Sequence, residues 1–100
     1  MPDKHLECAD LLKALAEKDR LRIVRALGDQ EKNVSELAAE LEVDIANISH
    51  HLGILYQAGI LQREKRGRFV VYRIHPKVRA AQASGQLDLG CCKLEWPQEG

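Results

Sequence analysis

Three cysteines are the residues of this chain best suited to bind a metal ion or to undergo redox chemistry. Cys8 lies near the start of the sequence, and Cys91 and Cys92 are adjacent near its end. Three cysteines without regular spacing do not match the disulfide framework of a small secreted domain. Packing as a small hydrophobic residue is an alternative for Cys8, but two adjacent thiols in a polar segment have little packing purpose. We therefore expect free thiols, soft-metal ligands or redox groups.

A second group of residues concentrates positive charge, although the chain as a whole is neutral. Residues 60–79 contain seven basic side chains and one acidic side chain, whereas residues 1–59 and 80–100 each have an acidic excess. Such a patch is suited to contact phosphates or a DNA minor groove, although a charge run is often only a solvated surface. Five of the basic residues surround one predicted hairpin: Arg63, Lys65, Arg66, Arg68 and Arg73.

A third group forms an uncharged polar face on a helix predicted from Ile45 to about Gln57. The apolar side chains of this helix cluster within about 60° of one another at Ile48, Leu52 and Leu55. The opposite face, with Tyr56 at its edge, carries Ala46, Ser49, His50, Gly53 and Gln57. Polar residues of these types bind base edges and phosphates in a major groove. A glycine on this face allows close approach of a DNA backbone or, alternatively, of another helix.

Capping residues and hydrophobic periodicity predict the elements that position these groups. A first helix runs from about Lys4 to Ala16 after a cap at Asp3, and a second runs from a cap at Asp19 to about Leu27. Ser35 is the predicted cap of a third helix that ends near residue 41. The helix from residue 45 is the fourth.

After Gly59 the period of the sequence changes from 3.6 to 2, which predicts two strands. They cover residues 60–65 and 68–74, with Arg66 and Gly67 as the turn between them. Pro76 ends the second strand, and residues 77–86 are compatible with a fifth helix.

These elements predict a mainly α fold with a small β-hairpin, namely a winged helix-turn-helix. We assign it to residues 1–86, followed by a C-terminal tail of residues 87–100 that holds the vicinal cysteines. A domain of this size buries a modest share of its surface, so a dimer would extend the core. The first helix offers a seam for pairing with another helix, because four residues share one narrow face: His5, Cys8, Leu12 and Leu15.

Composition excludes several other classes of protein. With 45% hydrophobic and 30% charged residues, the chain is globular rather than disordered or fibrous. No apolar run approaches the roughly 20 residues of a membrane span, and residues 1–5 lack a signal sequence, so we expect a cytoplasmic protein. The usual phosphate-binding, dinucleotide-binding and zinc-protease motifs are missing, which disfavours an enzyme. A winged-helix module that binds only proteins stays open, since the polar face permits it while the basic hairpin opposes it.

Five stretches of sequence carry a family resemblance: residues 11–23 (LLKALAEKDRLRI), 34–38 (VSELA), 48–52 (ISHHL), 56–61 (YQAGIL) and 66–74 (RGRFVVYRI). Over roughly residues 6–80 the chain resembles the ArsR/SmtB family of bacterial winged-helix repressors. The resemblance implies a homodimer, paired through its first and last helices, that binds a pseudo-palindromic double-stranded operator. It also implies that an inducer lowers the affinity for DNA.

The resemblance implies a set of DNA-contacting residues on the third and fourth helices and on the hairpin. They are Ser35, Ile45, Ala46, Asn47, Ser49, His50, Tyr56, Arg63, Lys65, Arg66 and Arg68. The sequence departs from the family at three of its positions. The family usually has a polar residue where Ile45 stands, and Lys or Arg where Gly53 and Tyr56 stand. The operator sequence therefore does not follow from the resemblance.

Two metal sites of related repressors have no counterpart in this sequence. The third helix reads Glu-Leu-Ala-Ala-Glu at residues 36–40, where many relatives carry cysteines. The segment expected to form the last helix offers only His75, where other relatives bind zinc through Asp, His and Glu.

The resemblance implies that the first and last segments of two subunits meet, so Cys8 of one subunit would approach Cys91 and Cys92, and we expect those of the other subunit. Three thiolates favour arsenite or antimonite over a tetrahedral metal. A nitrogen from His5 would shift the preference towards zinc or cadmium. A reversible disulfide or persulfide is the alternative, with Cys8 bonded to one of the vicinal cysteines because adjacent cysteines bridge only with strain.

Overall fold

The computed structural model describes residues 4–81 and 85–97, and within them it leaves out the side chains of residues 4–7 and 79–81. The described part contains four helices: α1 (Lys4–Leu15), α2 (Lys18–Leu27), α3 (Val34–Leu41) and α4 (Ile45–Gln57). It also contains six short strands: β1 (Lys32–Asn33), β2 (Leu61–Arg66), β3 (Phe69–Ile74), β4 (Arg79–Ala81), β5 (Gln86–Asp88) and β6 (Lys93–Glu95). They form two antiparallel sheets, in the orders β1-β3-β2 and β4-β5-β6.

The core lies between the helices and the first sheet. In α4, Ile48, Leu52 and Leu55 are fully buried, which confirms the apolar face inferred from their spacing. They pack in one cluster with apolar residues of α2 and α3. Burying each such side chain contributes on the order of 1.5–3 kcal/mol, so the orientation of α4 is fixed by its inner face. Its outer face is left free for contact with another molecule.

Two predicted helix caps are wrong by two residues. The cap of α2 is Glu17, whose Oε2 accepts hydrogen bonds from the backbone N–H groups of Asp19 at 2.8 Å and Arg20 at 3.1 Å. The cap of α3 is Asn33 rather than Ser35, and Glu36 completes a reciprocal capping box with it. Asn33 also ends β1, so its extended backbone is set by pairing with β3, which the local sequence does not reveal.

The hairpin of β2 and β3, called the wing below, is confirmed with a small shift of its turn. The register pairs Leu61 with Ile74 and Arg66 with Phe69, so the two turn residues are Gly67 and Arg68. Gly67 has φ +61°, a conformation that glycine adopts without steric cost.

The predicted fifth helix is wrong. In the described parts of residues 77–86 the chain forms β4 and the start of β5 instead, and Ala80 pairs with Leu87. Leu87 and Leu89 are buried, while Gln86 before them and Asp88 between them are half-buried, a period of two that fits a strand. The described residues therefore offer no last helix for dimerisation. Only α1 remains of the predicted helical pair.

The second sheet is packed onto the helical body. Leu94 and Trp96 are partly buried against the core, and the Arg25 guanidinium carbon lies 5.4 Å from the centroid of the Trp96 ring. Backbone bonds close the sheet, since Trp96 N–H donates to the Gly85 carbonyl at 3.0 Å. None of the helices in the described ranges has the length and apolar content that crossing a bilayer requires.

Candidate nucleic-acid interface and thiol cluster

The outer face of α4 lines an open cleft that Arg63 of the wing borders. Ala46, Ser49 and His50 are exposed on this face. The cleft has a volume of about 450 Å³ and is lined by Ser49, His50, Gly53, Ile54, Tyr56, Gln57 and Arg63. A Cβ added at Gly53 would meet nothing within 4 Å. Close packing against another helix of this chain is therefore not the reason for the glycine.

The basic residues of the wing divide between its two faces. Arg63 and Lys65 alternate with Glu64 and Arg66 along β2, so the two pairs point to opposite sides of the sheet. On the α4 side, the Arg63 guanidinium carbon lies 3.9 Å from the centroid of the Tyr56 ring. This cation–π contact holds a positive charge at the edge of the cleft. The sequence predicted five positive charges around the tip of the hairpin. Of these, Arg63 and Lys65 point to the α4 side, whereas Arg66 and Arg73 point to the opposite side.

The opposite face of the wing carries an ion-pair network. Arg66 binds Glu31 at 2.6 Å and Glu64 at 3.0 Å, and Arg73 binds Glu64 at 3.3 Å and Glu31 at 3.8 Å. Hydrogen bonds from Arg66 and then Arg73 lower the pKa of the Glu64 carboxyl, and the bond with Glu64 raises the pKa of Arg66. Arg66 is therefore paired within the chain, whereas Lys65 and Arg68 are exposed and make no ion pair with the described residues.

A second cleft, of about 320 Å³, joins the first turn of α3 to the tip of the wing. Ser35 and Arg68 line it, together with Phe69, whose side chain is 51% exposed. Sequence reasoning selected the first two residues and missed Phe69. The strand pattern held the signal, because Phe69 lies two positions from Val71 and so on the face opposite the buried Tyr72.

The start of α4 uses its polar groups internally. Asp44 caps the helix, and its Oδ1 accepts from the Asn47 backbone N–H at 2.9 Å. Its Oδ2 accepts from the side-chain amide of Asn47 at 2.8 Å. Asn47, although exposed, thus gives its backbone N–H and one N–H of its side-chain amide to the cap. Ile45, the first residue of α4, has a side chain that is 55% exposed.

Arg20 links three helices. Its Nε donates to the Ala14 carbonyl near the end of α1, and a terminal nitrogen lies 3.2 Å from His51 Nδ1 on α4. Because a guanidinium only donates, Nδ1 accepts and the imidazole proton is on Nε2, facing Glu17 Oε2 at 3.6 Å. Glu17, Asp19 and His51 have their ligand atoms within 4.8 Å of one another. The adjacent Arg20 cation and the capping role of Glu17 make this group unsuited to a metal ion.

The three cysteines lie together, as the sequence led us to expect. Cys8 is on α1, and Cys91 and Cys92 are in the turn between β5 and β6. That turn is closed by the Leu89 N–H, which donates to the Cys92 carbonyl at 2.9 Å, and by Gly90 with φ +86°. The left-handed glycine lets the chain reverse tightly, which places both vicinal cysteines beside α1.

The sulfur atoms form a cluster within a single chain. Cys8 and Cys91 are joined as a disulfide, and Cys8 Sγ lies 3.4 Å from Cys92 Sγ. All three sulfurs lie within 4.8 Å of one another. The expectation that Cys8 meets the vicinal pair of another subunit is therefore wrong, because the second sheet folds back onto its own α1. The side chain of His5 lies outside the described residues.

The donor set fits a soft ion once the Cys8–Cys91 bond is reduced. Zinc–sulfur bonds of about 2.3 Å place two sulfurs of a tetrahedral site about 3.8 Å apart. The sulfurs of Cys8 and Cys92 lie 3.4 Å apart, near that separation, whereas those of Cys8 and Cys91 are bonded to each other. Within the described residues the cluster offers three sulfurs and no fourth ligand. Three thiolates suit a thiophilic ion of low coordination number better than a tetrahedral metal.

Residues 17–63 match the family model described as bacterial regulatory protein, arsR family. The arsenic resistance transcriptional regulator ArsR1 of Pseudomonas putida is 39% identical over 69 residues, which cover 68% of this chain and 54% of that relative. The chain thus spans about half the length of this curated relative.

Solved structures of two proteins share the fold. HlyU from Vibrio cholerae is 33% identical with a TM-score of 0.71, over 75% of this chain and 82% of that one. The homodimeric winged helix-turn-helix DNA-binding domain from Mycobacterium bovis, described as a possible ArsR-family regulator, is 28% identical with a TM-score of 0.67. That match covers 71% of this chain and 66% of the other.

Proposed function

Because this chain belongs to the ArsR family of bacterial regulatory proteins, we propose that it is a winged helix-turn-helix repressor of transcription in the bacterial cytoplasm. It binds operator DNA and releases it when its cysteines react with an inducer. One observation carries the DNA-binding part: the uncharged outer face of α4 meets the cationic side of the wing in one cleft. The family consists of regulators, so we propose no enzymatic activity.

In this proposal α4 enters the major groove. Ala46, Ser49 and His50 face base edges, and Asn47 supports the start of the helix through its bond to Asp44. The first turn of α3, the last turn of α4 and the wing contact the DNA backbone through Ser35, Tyr56 and four basic residues of the wing: Arg63, Lys65, Arg66 and Arg68. Backbone contacts set orientation and affinity, while base contacts set sequence preference.

We propose that the repressor acts as a homodimer on a pseudo-palindromic site. Two α4 helices would then lie one helical turn of DNA apart, about 34–36 Å. The Mycobacterium bovis domain is described as homodimeric, which supports this. On α1 the side chain of Leu12 is 39% exposed, one turn after Cys8, and is available to a second copy. We assign the dimer contact to α1.

Arsenite is the inducer that the thiol cluster supports best. Three thiols of reduced Cys8, Cys91 and Cys92 would condense with one As(OH)₃, forming three As–S bonds and releasing three waters. The number of donors supports this assignment over zinc or cadmium, and antimonite is the chemical equivalent. The relative named for arsenic resistance agrees with it.

Arg20 provides a contact route from the thiol cluster to the DNA-facing helix. It binds the end of α1, which carries Cys8, and His51 of α4. A shift of α1 on ligand binding would therefore be transmitted to α4 through Arg20. A coupling of about 1–3 kcal/mol between the two sites would lower DNA affinity about 5- to 150-fold.

A redox switch is the second candidate, favoured by the disulfide between Cys8 and Cys91. Here the two thiols lose two electrons and two protons to an oxidant such as a peroxide, which is reduced to water. The disulfide replaces arsenite as the signal that alters α1. Persulfide formation would use the same thiols.

The decisive experiment uses Cys92→Ser. Arsenite needs three thiolates, whereas the Cys8–Cys91 disulfide does not involve Cys92. Fully reduced wild type, Cys92→Ser and Cys91→Ser are titrated with arsenite, zinc, cadmium and peroxide, while binding to duplex DNA selected from a random pool is measured.

The two candidates predict different outcomes. If arsenite is the inducer, it releases wild type from DNA, and Cys92→Ser loses at least tenfold of that response. If the switch is redox, peroxide releases wild type and Cys92→Ser alike, whereas Cys8→Ser, titrated beside them, is inert because it removes the sulfur that lies within reach of both vicinal cysteines. Failure of the reduced protein to bind any duplex in a salt-dependent manner would refute the repressor and leave a protein-interaction module.

A further inference from the structure

Ile45 begins α4 with the most exposed large apolar side chain in the described part of the chain, at 55%. We propose that this side chain recognises thymine, by packing against the 5-methyl group of one thymine in the major groove of each half-site. The inference rests on the proposed DNA-binding function and adds to it a base preference.

The polar groups next to Ile45 are engaged with each other. Both carboxylate oxygens of Asp44 accept hydrogen bonds from Asn47, one from its backbone and one from its side chain. The next residue, Ala46, is exposed and has only a methyl group. The leading end of α4 therefore presents an apolar surface to its ligand. Its nearest carboxylate, Asp44, and one N–H of the Asn47 amide are held in the cap rather than directed at a base edge.

Thymine is the base that offers an apolar group in the major groove. Its C5-methyl distinguishes it from the other three bases there, and apolar side chains are its usual partners. In helix-turn-helix proteins the first residues of the recognition helix contact base edges. Ser49 lies one turn after Ile45 on the same side of α4, and Arg63 holds its charge beside Tyr56 at the other end. A polar contact and a backbone contact thus flank the apolar one.

Replacing thymine by deoxyuridine tests the contact, because it removes the methyl group and leaves base pairing intact. A duplex operator is first selected from a random pool with the wild-type protein. Each thymine is then replaced by deoxyuridine in turn. Burial of one methyl group predicts about fourfold weaker binding at one symmetry-related position in each half-site.

Two variants assign the effect to its residue. Ile45→Ala should lose the deoxyuridine sensitivity at that position while keeping the others. Phe69→Ala is the matched control, because it removes a similarly exposed apolar side chain from the wing, and it should keep the wild-type sensitivity. Circular dichroism of both variants verifies that each is folded.

Three outcomes would count against the proposal. If the wild-type protein selects an operator but no deoxyuridine weakens binding, the thymine contact is wrong and the repressor stands. If Ile45→Ala keeps the same sensitivity, another residue reads the methyl group. If no duplex is selected and binding shows no salt dependence, the proposed function fails and this inference fails with it.

Discussion

Neutralising Glu64 should strengthen DNA binding. Its carboxylate lies 3.0 Å from Arg66 Nε and 3.3 Å from an Arg73 nitrogen, so it offsets the positive charge of the wing. Glu64→Gln keeps the size of the side chain and an oxygen acceptor while it removes the charge. Arg66 then keeps one carboxylate partner, Glu31, instead of two and can share its charge with a phosphate, and the repulsion between the Glu64 carboxylate and that phosphate disappears.

The magnitude follows from the geometry. A phosphate oxygen hydrogen-bonded to Arg66 would lie about 6 Å from the Glu64 carboxylate, since each of the two bonds is about 3 Å long. Repulsion between unit charges at that distance in water corresponds to about threefold in affinity for one wing. The two wings of a dimer give about tenfold. Because the effect is electrostatic, it should shrink as salt shortens the Debye length below about 10 Å.

Fluorescence anisotropy with labelled duplexes, one carrying the operator and one of unrelated sequence, measures the change at several salt concentrations. Glu64→Gln should bind both duplexes more tightly by a similar factor, since phosphate contacts do not read sequence. Glu95→Gln makes the same charge change in the second sheet and should have no effect. The double variant with Arg66→Ala should lose most of the gain.

Unchanged or weaker binding by Glu64→Gln would refute this reasoning. Unchanged binding would mean that Arg66 stays with Glu31, which lies 2.6 Å away, and contacts no phosphate. A gain in affinity for the operator alone would also contradict the reasoning, because such a gain would mean that this face of the wing contacts bases rather than phosphates.

Two further predictions concern glycine and pH. Gly53→Ala should raise the free energy of unfolding by about 1 kcal/mol, because its Cβ meets nothing in the chain, yet weaken DNA binding where α4 approaches the backbone. Gly59→Ala, at φ +82°, should instead lower the free energy of unfolding by about 1 kcal/mol. Thermal unfolding measures the change in stability of both variants, and fluorescence anisotropy measures their DNA binding. The lowered pKa of Glu64 means that its pairs with Arg66 and Arg73 stabilise the wing above the ordinary value of 4.5 and stop doing so as pH falls through the lowered value. Urea unfolding across this range should show a pH-dependent difference between wild type and Glu64→Gln, and a constant difference would contradict it.

Hydrophobic periodicity and capping residues predicted those parts of the fold whose structure depends on interactions between residues close in sequence. The helix from Ile45 to Gln57 and the wing follow from periodicity, from caps and from the turn at Gly67. The prediction of a helix over residues 77–86 was wrong because non-local contacts determine the structure there. Ala80 and its neighbours favour a helix locally, but pairing with Leu87 and burial of Leu89 outweigh this preference. Only the alternation around residues 86–89 indicated a strand.

The candidate sites were predicted in the same uneven way. Residue types located the thiol cluster and the polar face of α4. Sequence could not show that Cys91 folds back onto Cys8 of its own chain, because that depends on the second sheet. It also could not show that Arg66 is paired with Glu31, since the loop before β1 brings them together across 35 positions. Residue type predicts which chemistry is available, whereas the fold decides which groups remain free to perform it.

The link between Cys8 and Cys91 spans 83 positions and turns most of the chain into a closed ring. In the chain-entropy account, such a ring lowers the conformational entropy of the unfolded state and so raises its free energy by about 4.5 kcal/mol. The oxidised molecule therefore opens far less often than the reduced one, and proteases that act on opened chains degrade it more slowly. In this account the thiol state of the cell would set how long each copy persists, separately from the proposed control of DNA binding.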